Sequence, residues 1–481
     1  MSSTSHAEPQ RHSGSSFPSD TRRARRWSEL DVLRFLAAAA VVAFHWMFRS
    51  STGGDPLATT GFEDVATFFR YGYLGVDVFF VISGFVILRS AWGRTTGSFL
   101  LNRAGRLYPT FWVACTLTAV LVTVLPGDRF AVTFGQWAAN LTMGSEAFGV
   151  TYVDGVYWTL LVELAFYGLV ALGTVVGLTA NRVLIGVGAW LAVSFVHQAW
   201  PLSTDWSRVF VPNWAPYFAA GVGFALLAKE GPGEDLTRGQ RAATAVLTAV
   251  SCAWATVLGV QFADSLTSKY GVTFSGGVVV GVLLVTFAAF AALVAGVTVP
   301  GAARIGFLGA LTYPLYLVHE NIGYALLTIG NTWLGLNRWV VLAVVTGVIV
   351  ALAVALHRYV EMPTGRRVGH WSRALQARRR RHTRRPSLPE LWRRGWRASP
   401  GTSVRGTSGT GTAGAGTSGT GTAGAGTSGT GTAGTGTAGT GTAGAGPAGP
   451  VRTAVTVRPR LTPDRTGASR ESRPPTPASR R

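Results

Sequence analysis

The chain has 481 residues, 48% of them hydrophobic, and a formal charge of +21. The two properties separate along the sequence: the apolar residues fall between about 30 and 360, while about half of the arginines follow Glu361. A single soluble domain is thereby excluded in favour of an all-α integral membrane body with basic flanks, and nucleic acid is not an expected partner.

Residues 1–27 form a basic N-terminal segment, expected to be disordered, that closes on "RRARRW". Apolar stretches of roughly 18 or more residues predict membrane-spanning helices. Ten are expected, at about 30–48, 72–90, 107–125, 156–178, 183–200, 211–228, 242–262, 275–297, 305–328 and 339–358. The sixth opens on "VPNWAPYF", where two prolines blur its start, and the ninth contains Pro314. The first apolar run continues past a signal-peptide core without a small-residue cleavage site, so an uncleaved first span is expected. Cys115 and Cys252 both fall inside expected helices, which suggests neither a disulfide framework nor a metal site.

Arginine and lysine are unevenly shared between the loops. The N-terminal run, Arg89, Arg94, Arg103 and Arg106, the loop "KEGPGEDLTRGQR" and the C-terminal tail fall on one side. Arg49, Arg70, Arg129, Arg208, Lys269 and Arg338 fall on the other, diluted by acidic residues. The positive-inside rule makes the first side cytoplasmic, with both termini there and the protein in the plasma membrane. Residues 366–481 read as a disordered basic tail in which "GTSGTGTAGA" recurs. That composition cannot bury a core, and its arginines can touch anionic lipid.

Ionisable residues within the spans are few. A charge at mid-helix costs on the order of 2.5–3.5 kcal/mol on insertion scales, so such groups face a bundle interior or a watery cavity. Arg34 and His45 lie on one stripe of the first span, separated by a rise of roughly 16 Å, and Asp31 is spaced to pair with Arg34. Counting depth along the fourth and ninth spans puts Glu163 and His319 in the same outer half as His45. Three such groups on three helices predict a site; each taken singly also fits a helix-to-helix hydrogen bond. Arg103 and Arg106, three apart, suit phosphate recognition by guanidinium forks, although positive-inside topology alone also accounts for basic residues there.

Taken in order, these segments resemble the membrane-bound acyltransferase-3 family across about residues 28–365. The arginine, ten residues, histidine pattern is met by Arg34 and His45; "GYLGVDVFFVISGFVI" and "RAGRLYP" follow on the expected helices. "YWTLLVELAFY" and "LTYPLYLVH" match later motifs, with Thr159 and Thr312 where serine is usual, and "VEMP" matches the last. The resemblance implies acyl transfer from acyl-coenzyme A to a hydroxyl of a polysaccharide, glycolipid or macrolide, with no tightly bound cofactor. It implies a catalytic His45 acting as general base, helped by Glu163 or His319, and donor phosphates held by Arg103, Arg106 and Arg34. No second catalytic domain is expected in the tail. A secondary transporter is the rival class, since intramembrane polar residues and proline-broken helices also suit a carrier.

Overall fold

The computed structural model describes residues 27–51, 61–125 and 131–383, and every regular element within them is helical. The disorder expected before Trp27 and throughout the repeat tail lies outside the described residues. Helix α1 (Ser28–Ala43) runs on through a π-turn (Phe44–Arg49). The short α2 (Glu63–Phe69) leads to α3 (Leu74–Ala91), α4 (Thr96–Val124) and the short α5 (Phe134–Asn140). Next come α6 (Trp158–Val176), α7 (Ala180–Ala199), α8 (Thr204–Phe210), α9 (Ala215–Leu227), α10 (Arg238–Tyr270) and α11 (Gly276–Ala295). The series closes with α12 (Ala302–Ile305), α13 (Leu308–Val318), α14 (Asn321–Thr328), α15 (Arg338–Leu356), a second π-turn (His357–Glu361) and α16 (Met362–Thr383).

Among the described residues, nine helices are long and apolar enough to cross a membrane. The ninth expected span, 305–328, is instead split into α12, α13 and α14, and α13 alone is too short to cross. Its main break falls at His319–Glu320, while Pro314 sits inside α13. Backbone groups freed by a break at membrane depth must find partners inside the protein. Here the Tyr157 hydroxyl donates to the Leu317 carbonyl at 3.2 Å and the Trp46 indole to the His319 carbonyl at 2.9 Å. On the other side of the break, the Asn321 N–H donates to Asp154 Oδ2 at 3.1 Å, and the Asn321 amide donates to the Val153 carbonyl at 2.9 Å.

Helices α3 and α9 form the centre of the bundle. Their windows are 67% and 78% buried, against 28–44% for the other spans, whose apolar residues point outward. Close approach requires small residues where they cross: a Cβ at Gly221 would lie 2.0 Å from the Val81 carbonyl oxygen, and one at Gly84 would lie 2.2 Å from that of Phe218. Gly75 meets the Ala37 carbonyl in the same manner, which draws α1 against α3.

The third span starts about eleven residues before the expected 107. Thr95 caps α4 by accepting the Ser98 N–H at 3.2 Å, so Arg103 and Arg106 lie within a helix rather than in a loop. Two of the arginines expected on the opposite side are paired with nearby acids. Arg338 binds Asp64 through two nitrogens at 2.9 and 2.7 Å, and Arg208 pairs with Asp205 at 3.1 Å.

The membrane body does not end at residue 365. Helix α16 continues through Thr383 and packs along α4, with Ser372 Oγ 2.7 Å from Ser98 Oγ and accepting from the Asn102 amide at 2.5 Å. A chain ending at residue 383 keeps this seam, whereas one cut after residue 365, where sequence alone sets the start of the tail, loses it. Removing the buried hydroxyl pairing is expected to cost on the order of 1–3 kcal/mol. Melting of the two truncated proteins in detergent checks this: only the shorter should unfold at a lower temperature.

Candidate active site

The polar residues of the interior sort into two chambers. In the first, a cavity of about 130 Å³ is lined by Arg34, Ser83, Arg103, Arg106, Glu163 and Tyr167, among others. Arg34 donates to Asp31 Oδ1 at 3.0 Å, the pairing expected from their spacing. Glu163 accepts from Ser83 Oγ at 2.9 Å and from the Tyr167 hydroxyl at 2.6 Å through the same oxygen. Ser83 is therefore a carboxylate partner, with its proton already engaged.

The expected grouping of Glu163 with the two histidines is not what the fold produces. Helix α6 begins only at Trp158, and Glu163 lies one turn beyond Thr159 towards the arginines. It is Thr159 that meets the ninth span: its hydroxyl donates to the Val156 carbonyl at 2.9 Å, leaving its oxygen to accept from the Tyr316 hydroxyl at 2.9 Å. Glu163 belongs with Arg34, Arg103 and Arg106, as their counter-charge.

The second chamber, about 490 Å³, is lined by His45, Arg49, Asp77, Trp158, Lys269 and Tyr270, among others. His45 Nδ1 lies 3.1 Å from His319 Nε2, so the expected meeting of these two rings across 274 residues is realised. His319 Nδ1 lies 2.8 Å from the Tyr316 carbonyl oxygen, which can only accept. For neutral rings this fixes the protons in series. His319 carries its proton on Nδ1, its Nε2 accepts from His45 Nδ1–H, and His45 Nε2 keeps a free lone pair.

Trp46 holds the pair in register through the His319 carbonyl, and Gly323 makes room, since a Cβ there would lie 2.4 Å from the Trp46 indole nitrogen. The π-turn starting at Phe44 carries both His45 and Arg49. Such one-turn bulges recur where a helix must present side chains to a site.

Glu320 joins this chamber, and sequence reading gave it no role. It is 1% exposed, its Oε1 lies 3.7 Å from His45 Nε2, and the same oxygen accepts from Arg49. Gly155 packs beside it: a Cβ there would fall 2.7 Å from Glu320 Oε2, so the carboxylate would have to shift. Asp154, fully buried next to that glycine, uses Oδ1 on the Val156 N–H and Oδ2 on the Asn321 N–H. It thereby anchors the break that carries His319 and Glu320. The adjacent acidic and amide residues "HEN" after an apolar run, with "VDG" before another, are the sequence signal for this clamp.

Val76 and Tyr316 line both chambers and form the partition between them. Tyr157, Tyr313 and Tyr316 are each engaged: Tyr157 with the Leu317 carbonyl, Tyr313 with the Leu107 carbonyl at 3.0 Å, and Tyr316 with Thr159.

The helices that carry the motifs fall within a match to a known protein family. A family model described as an acyltransferase domain, that of acyltransferase-3, matches residues 27–358. The chain belongs to the acyltransferase-3 family. It is a multi-pass membrane protein. Among named relatives it is 29% identical over 175 residues to nodulation protein 10 of Rhizobium leguminosarum bv. viciae, a stretch covering 31% of this chain and 45% of the relative. It is 28% identical over 210 residues to the putative membrane-bound transacylase BcsY of Komagataeibacter xylinus, covering 40% and 48% of the two chains. With the peptidoglycan O-acetyltransferase OatA of Listeria monocytogenes it shares 26% identity over 221 residues, 40% of this chain and 32% of the relative. The chain thus spans less than half the length of each of these relatives. No solved structure matches.

Proposed function

We propose that the protein is an O-acyltransferase of carbohydrate hydroxyls, taking its acyl group from acyl-coenzyme A, with His45 as general base. The observation that carries this reading is the proton order of the histidine pair, which leaves His45 Nε2 as an acceptor facing the larger chamber. The arginine chamber on the other side of Tyr316 suits the anionic donor, since guanidinium forks match phosphate oxygens. The names of the relatives, a transacylase and a peptidoglycan O-acetyltransferase among them, favour a sugar-polymer acceptor.

In the proposed reaction His45 Nε2 takes the proton of the acceptor hydroxyl as its oxygen attacks the thioester carbon. His319 accepts from Nδ1 throughout and keeps the ring aligned. The tetrahedral intermediate collapses with cleavage of the carbon–sulfur bond, and the proton on Nε2 passes to the departing thiolate. The products are an ester and free coenzyme A. The base in such a step contributes roughly 10² to 10⁴ in rate. In this reading the arginine-rich chamber and both termini lie on the cytoplasmic side of the plasma membrane, where coenzyme A thioesters are made, an orientation that the excess of arginine in the flanking segments favours.

The test is release of free thiol from acetyl-coenzyme A by the purified protein in lipid nanodiscs, with and without a pool of cell-wall and exopolysaccharide fragments. Release that rises on adding acceptor, with acetyl ester appearing on the sugar, is the expected outcome. Saccharide movement across vesicles without any thiol release would replace this reading with that of a carrier.

A further inference from the structure

A third cavity, of about 450 Å³, adjoins the arginine chamber and shares Arg103 and Arg106 with it. Its far wall lies outside the family match, which ends at residue 358: Glu361, Gly365, Arg366 and Val368 come from the π-turn after α15 and from α16. The wall is built in. A Cβ at Gly105 would fall 2.4 Å from Val368, so α16 is seated almost directly on the backbone of α4, and the Ser98–Ser372–Asn102 hydrogen bonds hold it there. This seating brings Arg366 into the same lining as Arg103 and Arg106.

Three guanidinium groups line this cavity against one carboxylate, Glu361, whose Oε2 lies 2.7 Å from His357 Nδ1; Glu163, the counter-charge of Arg103 and Arg106, lines only the first chamber. Arg103 Nε is buried without a hydrogen-bond partner among the described residues. A guanidinium in this setting calls for an anion with several oxygens in fork geometry.

We infer that this vestibule takes the nucleotide end of the donor, with Arg366 reading the 3′-phosphate and Arg103 and Arg106 facing the diphosphate at the junction of the two cavities. The inference rests on acyl-coenzyme A being the donor. It makes α16 part of the donor site and gives the chain a way to tell coenzyme A from a simple pantetheine thioester.

Binding, rather than turnover, tests it. Calorimetry on the full-length protein would compare coenzyme A with 3′-dephospho-coenzyme A, for wild type, Arg366→Ala and Arg366→Lys. Arg366 is exposed, so these variants should fold. Wild type is expected to favour coenzyme A by about tenfold or more, the value of one charge-assisted pairing, and Arg366→Ala to erase the preference without changing affinity for the dephospho form. Arg366→Lys should restore it in part. A preference that survives Arg366→Ala, or an equal loss for both nucleotides, overturns the assignment. An anionic lipid headgroup offers the same phosphate chemistry. The comparison is therefore run in detergent free of phosphatidylglycerol and repeated with that lipid added; an Arg366 effect that appears only as competition by the lipid would make the site a lipid site and overturn the inference. If wild type binds neither nucleotide, the donor assignment itself fails, an outcome distinct from any change at Arg366.

Discussion

Replacing His45 with alanine is expected to lower acyl transfer by about 10² to 10⁴, the usual contribution of a positioned base. The donor's KM should hardly move, because the arginines proposed to hold the donor phosphates lie in the other chamber, beyond Tyr316. His319 should behave differently, since its Nε2 is committed to His45 Nδ1 and its Nδ1 to the Tyr316 carbonyl, so that it acts through His45. His319→Ala should cost about 10²-fold in kcat, the scale of a small misplacement of a reacting group. His319→Gln should recover part of this, because an amide oxygen can accept the same Nδ1 proton. Steady-state kinetics on the three variants decide the matter: equal losses for alanine and glutamine at 319 would contradict a positioning role.

Arg49→Ala is expected to be the most damaging single change to stability near the site. Glu320 is almost wholly buried and pairs with Arg49, so the Arg49 guanidinium is the cation that compensates its charge. Removing one partner of a buried ion pair typically costs 3–5 kcal/mol. Arg49 is about a quarter exposed, so the lower end, about 3 kcal/mol, is expected. Glu320→Gln introduced on top of Arg49→Ala should restore much of the loss, because it removes the orphaned charge. A double-mutant cycle on thermal unfolding in detergent measures this coupling. Additive losses would mean that the pair does not compensate a buried charge.

These two sites were unequally legible before any coordinates. His45 and Arg34 stand out because a ring nitrogen and a guanidinium have no place in hydrocarbon without a purpose. Glu320 and Asp154 carry no such mark: one adjoins the end of an apolar run and the other lies in a loop, and their partners are distant in sequence. Glu163 was misplaced by one helical turn, since depth counted from Gly155 ignores where α6 acquires its α-helical twist. The span positions themselves followed from apolar length, with two exceptions. Arg103 and Arg106 disguised the first turns of α4 as loop, although Thr95 is a good cap. The apolar continuity of 305–328 concealed its breaks, because they are stabilised by Tyr157, Trp46 and Asp154 on other segments rather than by anything local.

The broken ninth span also bears on how the protein is made. The eleven residues of α13 rise about 16 Å, roughly half the hydrocarbon thickness, and the chain that follows exposes backbone that lipid cannot satisfy. As a nascent segment it has no stable resting place until the first and fourth spans, already synthesised, close around it. Completion of the His45–His319 pair is therefore a late assembly step, one that waits for the ninth span to leave the ribosome and be delivered to the bilayer. A lesion at Trp46, Asp154 or Tyr157 would then appear first in the cell as slow maturation and proteolytic loss, before any defect in chemistry could be measured.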